Sequence, residues 1–219
     1  MDLTRTAYGT WSGGRFMHFG ETLSEERFIR CIETAYEAGI RTFVTSDVYG
    51  NGKADELLGR ALAGIDRSTY SLVGMIGHDF YQGQRQGSRG YPRFTDPELR
   101  GPEGYADFVH MATSKELERC GSDHFDLLML HNPDESGYTS EVLWQAMKSA
   151  KDQGLTRMLG IRGHYGHIII DPVLPRELNG LEATIPWENH WLSVRFEVRN
   201  ATHTPSKVSL NGCELKPAK

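Results

Sequence analysis

Three residues stand where proton transfer could be organised. Asp47 and Tyr49 follow the β-branched, aromatic run Arg41-Thr42-Phe43-Val44-Thr45-Ser46, and His131 ends the apolar run Phe125-Asp126-Leu127-Leu128-Met129-Leu130. In parallel α/β barrels the loops at the carboxyl ends of the strands meet over one cavity. A phenol, a carboxyl and an imidazole converging there could pass a proton to a carbonyl oxygen, with Tyr49 as the acid and Asp47 and His131 tuning and orienting it. Spacing alone favours a plainer account: Asp47 as a turn residue before Gly50, Tyr49 as a packing aromatic, His131 as a satisfied polar group at a strand end.

The elements that must position these groups alternate along the first three-quarters of the chain. Thr22-Leu23-Ser24-Glu25 has the form of a capping box, Phe28, Ile29, Ile32, Ala35 and Tyr36 recur on one helical face, and Gly39 closes it. Strands are expected near 7–11, 41–46, 70–76, 125–130 and 156–161, and the continuous apolar run at 125–130 is that of a strand buried on both faces. Helices fall between them: Ala54 to Leu62, a segment marked by Tyr105, Phe108, Val109, Ala112 and Leu117 that Gly121 closes, and one marked by Val142, Leu143, Ala146, Met147 and Ala150 that stops at Gly154. Residues 78–104, rich in Gly, Arg, Pro and Tyr, form a long loop of the kind that often carries function. Strand–helix alternation with short connections implies right-handed βαβ units and a parallel sheet. No Gly-x-Gly-x-x-Gly follows the first strand, so a Rossmann fold lacks its phosphate loop.

Beyond about residue 161 the helical period disappears. His167-Ile168-Ile169-Ile170-Asp171-Pro172 reads as a strand broken by proline, Glu182–Ile185 and Trp191–Val198 alternate with period two, and Lys207–Leu210 runs into the turn signal Asn211-Gly212. The expected architecture is therefore α/β: about five parallel strands with helices in residues 1–161, then a short antiparallel all-β segment in 162–219.

Composition narrows the class. The 219 residues carry a net charge of −5, which supplies no basic footprint for nucleic acid. No apolar run approaches the roughly 20 residues of a membrane span, and Met1-Asp2-Leu3-Thr4-Arg5 lacks the order of a signal peptide. Cys31, Cys120 and Cys213 are sparse and odd in number, as in a cytoplasmic protein with reduced thiols. The histidines, including the close pair His164 and His167 and His78 beside Asp79, match no metal-ligand spacing, so no metal site is expected. Asn200-Ala201-Thr202 would be a glycosylation acceptor only in a secreted chain. Trp187 and Trp191 are read as core aromatics before a sugar-stacking surface.

Several separated motifs resemble one family. Ser46-Asp47-Val48-Tyr49-Gly50-Asn51-Gly52-Lys53-Ala54-Asp55-Glu56-Leu57-Leu58-Gly59 looks like the aldo-keto reductase signature, and Phe125 to Asp134 is similar to the strand that ends in that family's active-site histidine. Gly9-Thr10-Trp11 and Gly154 to Ile161 match its first strand and the approach to its fifth, so the resemblance covers about residues 5–161 in the family's order. It implies a (β/α) barrel that reduces a small carbonyl substrate with NADPH. Tyr49 would be the proton donor, Asp47 its electrostatic support and His131 the carbonyl-orienting group. Trp11, Asn132 and Arg162 would be the cofactor contacts.

The chain departs from that family in two ways. Met75 stands where the family places the lysine whose charge lowers the pKa of the tyrosine, and Arg162-Gly163 stands where the nicotinamide-holding Ser-Asn is usual. A complete barrel takes about 250 residues and eight strands, whereas the match stops after five, before the strands that carry the phosphate clamp. The resemblance therefore implies weak or absent NADP binding. Gly166 to Leu181, with Asp171-Pro172-Val173-Leu174-Pro175, and Leu210-Asn211-Gly212 resemble the carboxyl-terminal β segment of cellobiose-phosphorylase-type glycoside enzymes, which would make the chain a chimera. An alternative function follows: a cofactor-independent hydrolase acting on glycosides through Asp47, Tyr49 and His131, with Asp79 or Glu135 from flanking loops as acid or base. A third is a non-catalytic fragment that survives by association. A half barrel leaves two open sheet edges, so the tail or a second copy in a homo-oligomer is expected to cover them. The expected partner is otherwise a small carbonyl or sugar substrate, with no nucleic acid and no membrane.

Overall fold

The computed structural model describes residues 6–11, 22–87, 90–162, 182–187, 190–195, 208–210 and 213–215. Two compact units are distinguished, Met1–Gly166 and His167–Lys219.

The first unit is built on five strands, β1 (Tyr8–Gly9), β2 (Thr42–Val44), β3 (Ser71–Ile76), β4 (Phe125–His131) and β5 (Thr156–Arg162). They pair in chain order and all in parallel, with Phe43 opposite Leu72, Val73 opposite Leu127 and His131 opposite Arg162. The helices are α1 (Glu25–Glu37), α2 (Lys53–Leu62), α3 (Tyr105–Cys120), α4 (Glu135–Thr139) and α5 (Glu141–Asp152). The parallel α/β arrangement read from the pattern of segments is thus the one observed. Helix α1 starts two positions later than the capping box would have it: Ser24 rather than Thr22 is the cap, and its Oγ accepts from the Arg27 N–H. Gly121, in the left-handed region at φ 63°, ends α3, as the sequence indicates. Helix α4 is a single turn capped by Asp134, too short to leave a periodic signal.

The two faces of the sheet differ. Phe43, Leu72, Ile76, Leu128 and Leu130 join residues of the helices in the main core. Side chains of opposite parity, Val44, Met75 and Met129, gather with Val48, Tyr49 and Ala54 in a second, smaller cluster. This is the period-two alternation of a strand. It also corrects one expectation: β4 is not buried on both faces, because Leu127 and Met129 remain half-buried. The loop after β3 folds back on itself, with the Asp79 N–H donating to the Pro92 carbonyl and the Phe94 N–H to that of Gly77.

In the second unit the described residues form two antiparallel pairs: β6 (Glu182–Trp187) with β7 (His190–Arg195), and β8 (Val208–Leu210) with β9 (Cys213–Leu215). The expected strand at 167–172 and the stretch 166–181 that resembles glycoside enzymes lie outside the described residues.

Candidate active site

The chain reverses direction after β2 through Gly50, Asn51 and Gly52, all at positive φ (61°, 55° and 90°). That turn sets Tyr49 over the carboxyl end of the strand. Its N–H donates to the Ser46 carbonyl, and its carbonyl accepts from Ala54 at the start of α2. Tyr49 is 6% exposed. Its ring lies 4.6 Å from that of Trp11, just beyond β1, and meets His131, at the end of β4, edge-on at 5.4 Å between centroids. Trp11, Tyr49 and His131 are therefore brought together from three strand ends. Met75 packs in the same cluster as Tyr49 and is buried, so the position of the expected lysine is apolar. Lys53 does not replace it: its Nζ lies 3.1 Å from Glu56 and 3.3 Å from Glu25.

Asp47 occupies a different environment. It is fully buried, and its Oδ2 accepts from the Tyr81 hydroxyl at 3.4 Å, while Oδ1 has no hydrogen-bond partner. Burial, and then the nearby Asp55, push its carboxyl well above the usual range. Asp55 itself is raised to about 7 by burial, against the Thr45 hydroxyl donating at 2.6 Å and the Arg119 guanidinium at 3.8 Å. Glu116 of α3 accepts from the Met75 N–H at 3.2 Å and is likewise raised by burial. Asp47 thus belongs to a buried carboxyl cluster shared by the β2 end, α2 and α3. Burial that disfavours the charged form of this carboxyl works against the electrostatic support expected of it.

His131 has partners that the sequence reading did not single out. Its Nδ1 lies 2.8 Å from Ser46 Oγ, and that hydroxyl also donates to the Met75 carbonyl at 2.7 Å. The His78 ring stands 5.1 Å from that of His131. Burial, and then the Arg93 guanidinium 2.7 Å from its Nδ1, lower the pKa of His78 to about 4, so this ring is neutral. Arg93 Nε also donates to the carbonyl of Asn132, a non-glycine residue held at φ 48°. The signal available in the sequence was position: Ser46 and His78 close β2 and β3 at the level where His131 closes β4.

Of the remaining candidates, Arg162 pairs in register with His131, and its side chain lies outside the described residues. Asp79 is tied down as a turn and ion-pair residue. Its Oδ1 accepts from the N–H groups of Tyr81 and Gln82, and its Oδ2 lies 3.0 Å from Arg100. Glu135 opens the short helix α4. No observation favours the hydrolase reading. Among the described residues, no group of three or more His, Cys, Asp or Glu could hold a metal ion, and no helix is long and apolar enough to cross a membrane.

The sequence profile of the Aldo/keto reductase family matches residues 6–173. That match runs past residue 161 into the segment assigned to the tail. The chain is similar to a versiconal hemiacetal acetate reductase of Aspergillus parasiticus, 29% identical over 153 residues, covering 64% of this chain and 42% of the relative. The chain therefore spans less than half of that relative's length. Its fold is similar to the holo form of the aldo-keto reductase AKR11C1 from Bacillus halodurans, 24% identical with a TM-score of 0.57, over 74% of this chain and 46% of that one. It is also similar to an aldo-keto reductase from Klebsiella pneumoniae in complex with NADPH, 19% identical with a TM-score of 0.50, over 71% and 44%.

Proposed function

The chain belongs to the Aldo/keto reductase family, and from that premise we propose that it is an oxidoreductase of small carbonyl compounds or the corresponding alcohols, using NADP(H) at an incomplete site. The observation that carries this reading is the edge-on pair of Tyr49 and His131 at 5.4 Å, with the Trp11 indole 4.6 Å from the same phenol. Such a pair can hold a substrate oxygen and move a proton at it. Tyr49 gives its hydroxyl proton to the developing alkoxide, and His131 orients the oxygen. The apolar surface of Val44, Met75 and Met129 around the phenol excludes water.

Trp11, which is 40% exposed, and Asn132, whose backbone is fixed by Arg93, suit the nicotinamide end of the cofactor. With Arg162 they are the residues that would hold it. When bound, the dinucleotide supplies or accepts the hydride. The chain spans less than half of the versiconal hemiacetal acetate reductase and of both solved structures. Weak binding of the dinucleotide is proposed from the residues present, with Arg162-Gly163 where the family's nicotinamide-holding Ser-Asn is usual. Each neutral hydrogen bond adds only about 0.5–1.5 kcal/mol, and a pyrophosphate needs fixed cationic or helix-terminal donors. The region 162–219 is proposed as an antiparallel β-rich segment, supported by the β6–β7 and β8–β9 pairs. Its kinship to glycoside enzymes rests on sequence residues alone. A cytoplasmic homo-oligomer completes the reading.

Calorimetric titration with NADPH, together with NADPH oxidation in the presence of an aldehyde panel, tests it. Saturable binding weaker than submicromolar is expected, with turnover that Tyr49→Phe lowers about 10²–10⁴-fold. Unchanged turnover in Tyr49→Phe removes the phenol from the mechanism.

A further inference from the structure

We propose that Tyr91 and Arg93 are positioning residues: one short stretch of the loop after β3 grips the turns that follow β2 and β4, and so sets the approach of the Tyr49 phenol to the His131 ring. The consequence for catalysis rests on the oxidoreductase reading above, whereas the grip itself is internal to the chain.

Both turns need such a hold. Among the described residues, Asn51 and Asn132 are the two non-glycine residues with a positive φ, 55° and 48°. That region is sparsely populated by residues with a Cβ, and asparagine is one of the few that enter it. Such a conformation persists where the surrounding contacts over-determine it. Each asparagine sits beside a site residue, Asn51 after Tyr49-Gly50 and Asn132 directly after His131. Both are held from the same stretch. Asn51 Nδ2 donates to the Tyr91 hydroxyl at 2.9 Å. Arg93 Nε donates to the Asn132 carbonyl, and Arg93 Nη1 lies 2.7 Å from Nδ1 of His78, just beyond β3. The Thr95 hydroxyl donates to Oδ2 of Asp134, in the same turn as Asn132. The ends of β2, β3 and β4 are thus tied to residues 91–95.

A strap positions turns only if it is itself fixed. Phe94 is 2% exposed and stacks on Phe108 of α3, with ring centroids 4.5 Å apart and planes 5° from parallel. Its N–H donates to the Gly77 carbonyl at 2.9 Å, and its carbonyl accepts from Arg100 at 3.0 Å. His78 and Arg93 face each other as an antiparallel bridge, and the Asp79 N–H donates to the Pro92 carbonyl at 2.8 Å. Phe94 therefore anchors the strap in the core, while Arg93 and Thr95 on either side of it reach the turn after β4. There is little slack at this level, since a methyl group at Gly77 would come within 2.7 Å of the His131 carbonyl. A phenol and an imidazole carried on separate turns keep their mutual geometry only as well as those turns keep theirs, and reacting groups tolerate little misplacement. Tyr91 and Arg93 touch no ligand in this account. They act through Asn51 and Asn132.

The test reads the approach of the two rings directly. In the full chain without ligand, ¹H nuclear Overhauser effects are expected between the Tyr49 and His131 rings, whose centroids lie 5.4 Å apart. Arg93→Met and Tyr91→Phe should each weaken them relative to those between Phe94 and Phe108. Tyr91→Phe removes only one hydroxyl from an exposed bond, so this variant decides the matter should Arg93→Met fail to fold. With NADPH and benzaldehyde, kcat should fall about 10- to 100-fold in Arg93→Met, the cost of a misplacement of about 1 Å. In Tyr91→Phe it should fall about 2- to 10-fold, the worth of one hydrogen bond, and KM for benzaldehyde should hold in both. Ring contacts unchanged in either variant remove that residue from the strap, and unchanged in both they overturn the proposal. Weakened contacts with kcat unchanged overturn the catalytic consequence, as does a KM that rises while kcat holds, which would place the two residues in binding. A parent chain that turns over no aldehyde removes the oxidoreductase reading, and the ring contacts then decide the grip alone.

Discussion

Met75 packs beside Tyr49 in a cluster completed by Ala54, Val44, Val48 and Met129, and only 1% of its surface is exposed. The phenol that would serve as proton donor thus rests on thioether and aliphatic carbon. A cation near a phenol favours the phenolate, and apolar burial opposes it. Replacing the thioether with an ammonium changes both terms at once.

Met75→Lys is therefore expected to raise carbonyl turnover while lowering thermal stability. The gain comes from a positive charge beside Tyr49. The loss comes from burying an ammonium among Val44, Ala54 and Met129, which costs on the order of several kcal/mol for an ion without a close partner. Steady-state rates and a melting curve on the same preparation check both signs. A variant that melts lower with no gain in rate leaves the missing cation without a catalytic consequence.

The sheet was legible because its signals are local and redundant: β-branched runs, glycine stops and helical periods all mark the same segments, from Thr42–Val44 to Thr156–Arg162. Tyr49 and His131 were legible for a similar reason, since the carboxyl ends of parallel strands must converge. The environment of Asp47 was not. Its neighbours Asp55, Tyr81, Glu116 and Arg119 come from α2, the loop after β3 and α3, and no local pattern says which helix face a strand-end carboxyl will meet. The Ser46–His131 bond spans 85 positions, and a single serine at a strand end has no periodicity to betray it. The one-turn helix after Asp134 was missed because five residues are shorter than any helical repeat can establish.

The carboxyl cluster predicts an unusual pH dependence. Asp55 is raised from its ordinary value of 3.8 to about 7 in the folded chain. Between those two values the folded state holds a proton that the unfolded state has lost, so this group's contribution to stability falls as pH rises through that window. Asp47 and Glu116 are shifted in the same direction. Asp55→Asn keeps an acceptor for Thr45 and removes the titration. Its melting temperature should exceed that of the parent by more at pH 7.5 than at pH 4.5. A difference independent of pH would show that Asp55 ionises normally.

His78 acts with the opposite sign. Its pKa falls from 6.5 to about 4 on folding, so below pH 6.5 the unfolded state takes up a proton that the folded state refuses. Its contribution to stability is complete above pH 6.5 and is lost as pH falls toward 4. His78→Gln should flatten the acid limb of a plot of melting temperature against pH, while leaving the limb above pH 7 unchanged. Measuring it in the Asp55→Asn background separates the two overlapping windows. An acid limb equally steep with and without His78 would contradict the assignment.

Gly59 gives the sharpest mechanical prediction, because two principles disagree there. It lies within α2, where alanine is favoured over glycine by about 1 kcal/mol of helix propensity. A methyl group at that position would come within 2.5 Å of the Arg119 carbonyl and 2.8 Å of the Cys120 carbonyl carbon. These are backbone atoms in the last turn of α3, so no side chain can rotate away, and α2 would have to move off α3. The same movement would carry Asp55 away from Arg119, which is 3.8 Å from it. Overpacking of this kind costs typically about 1–3 kcal/mol, which outweighs the propensity gain. Gly59→Ala should therefore lower the denaturant midpoint and raise the pKa of Asp55, the latter read by carboxyl NMR. A variant as stable as the parent, with Asp55 unmoved, would mean that α2 and α3 pack less closely than the 2.5 Å approach requires.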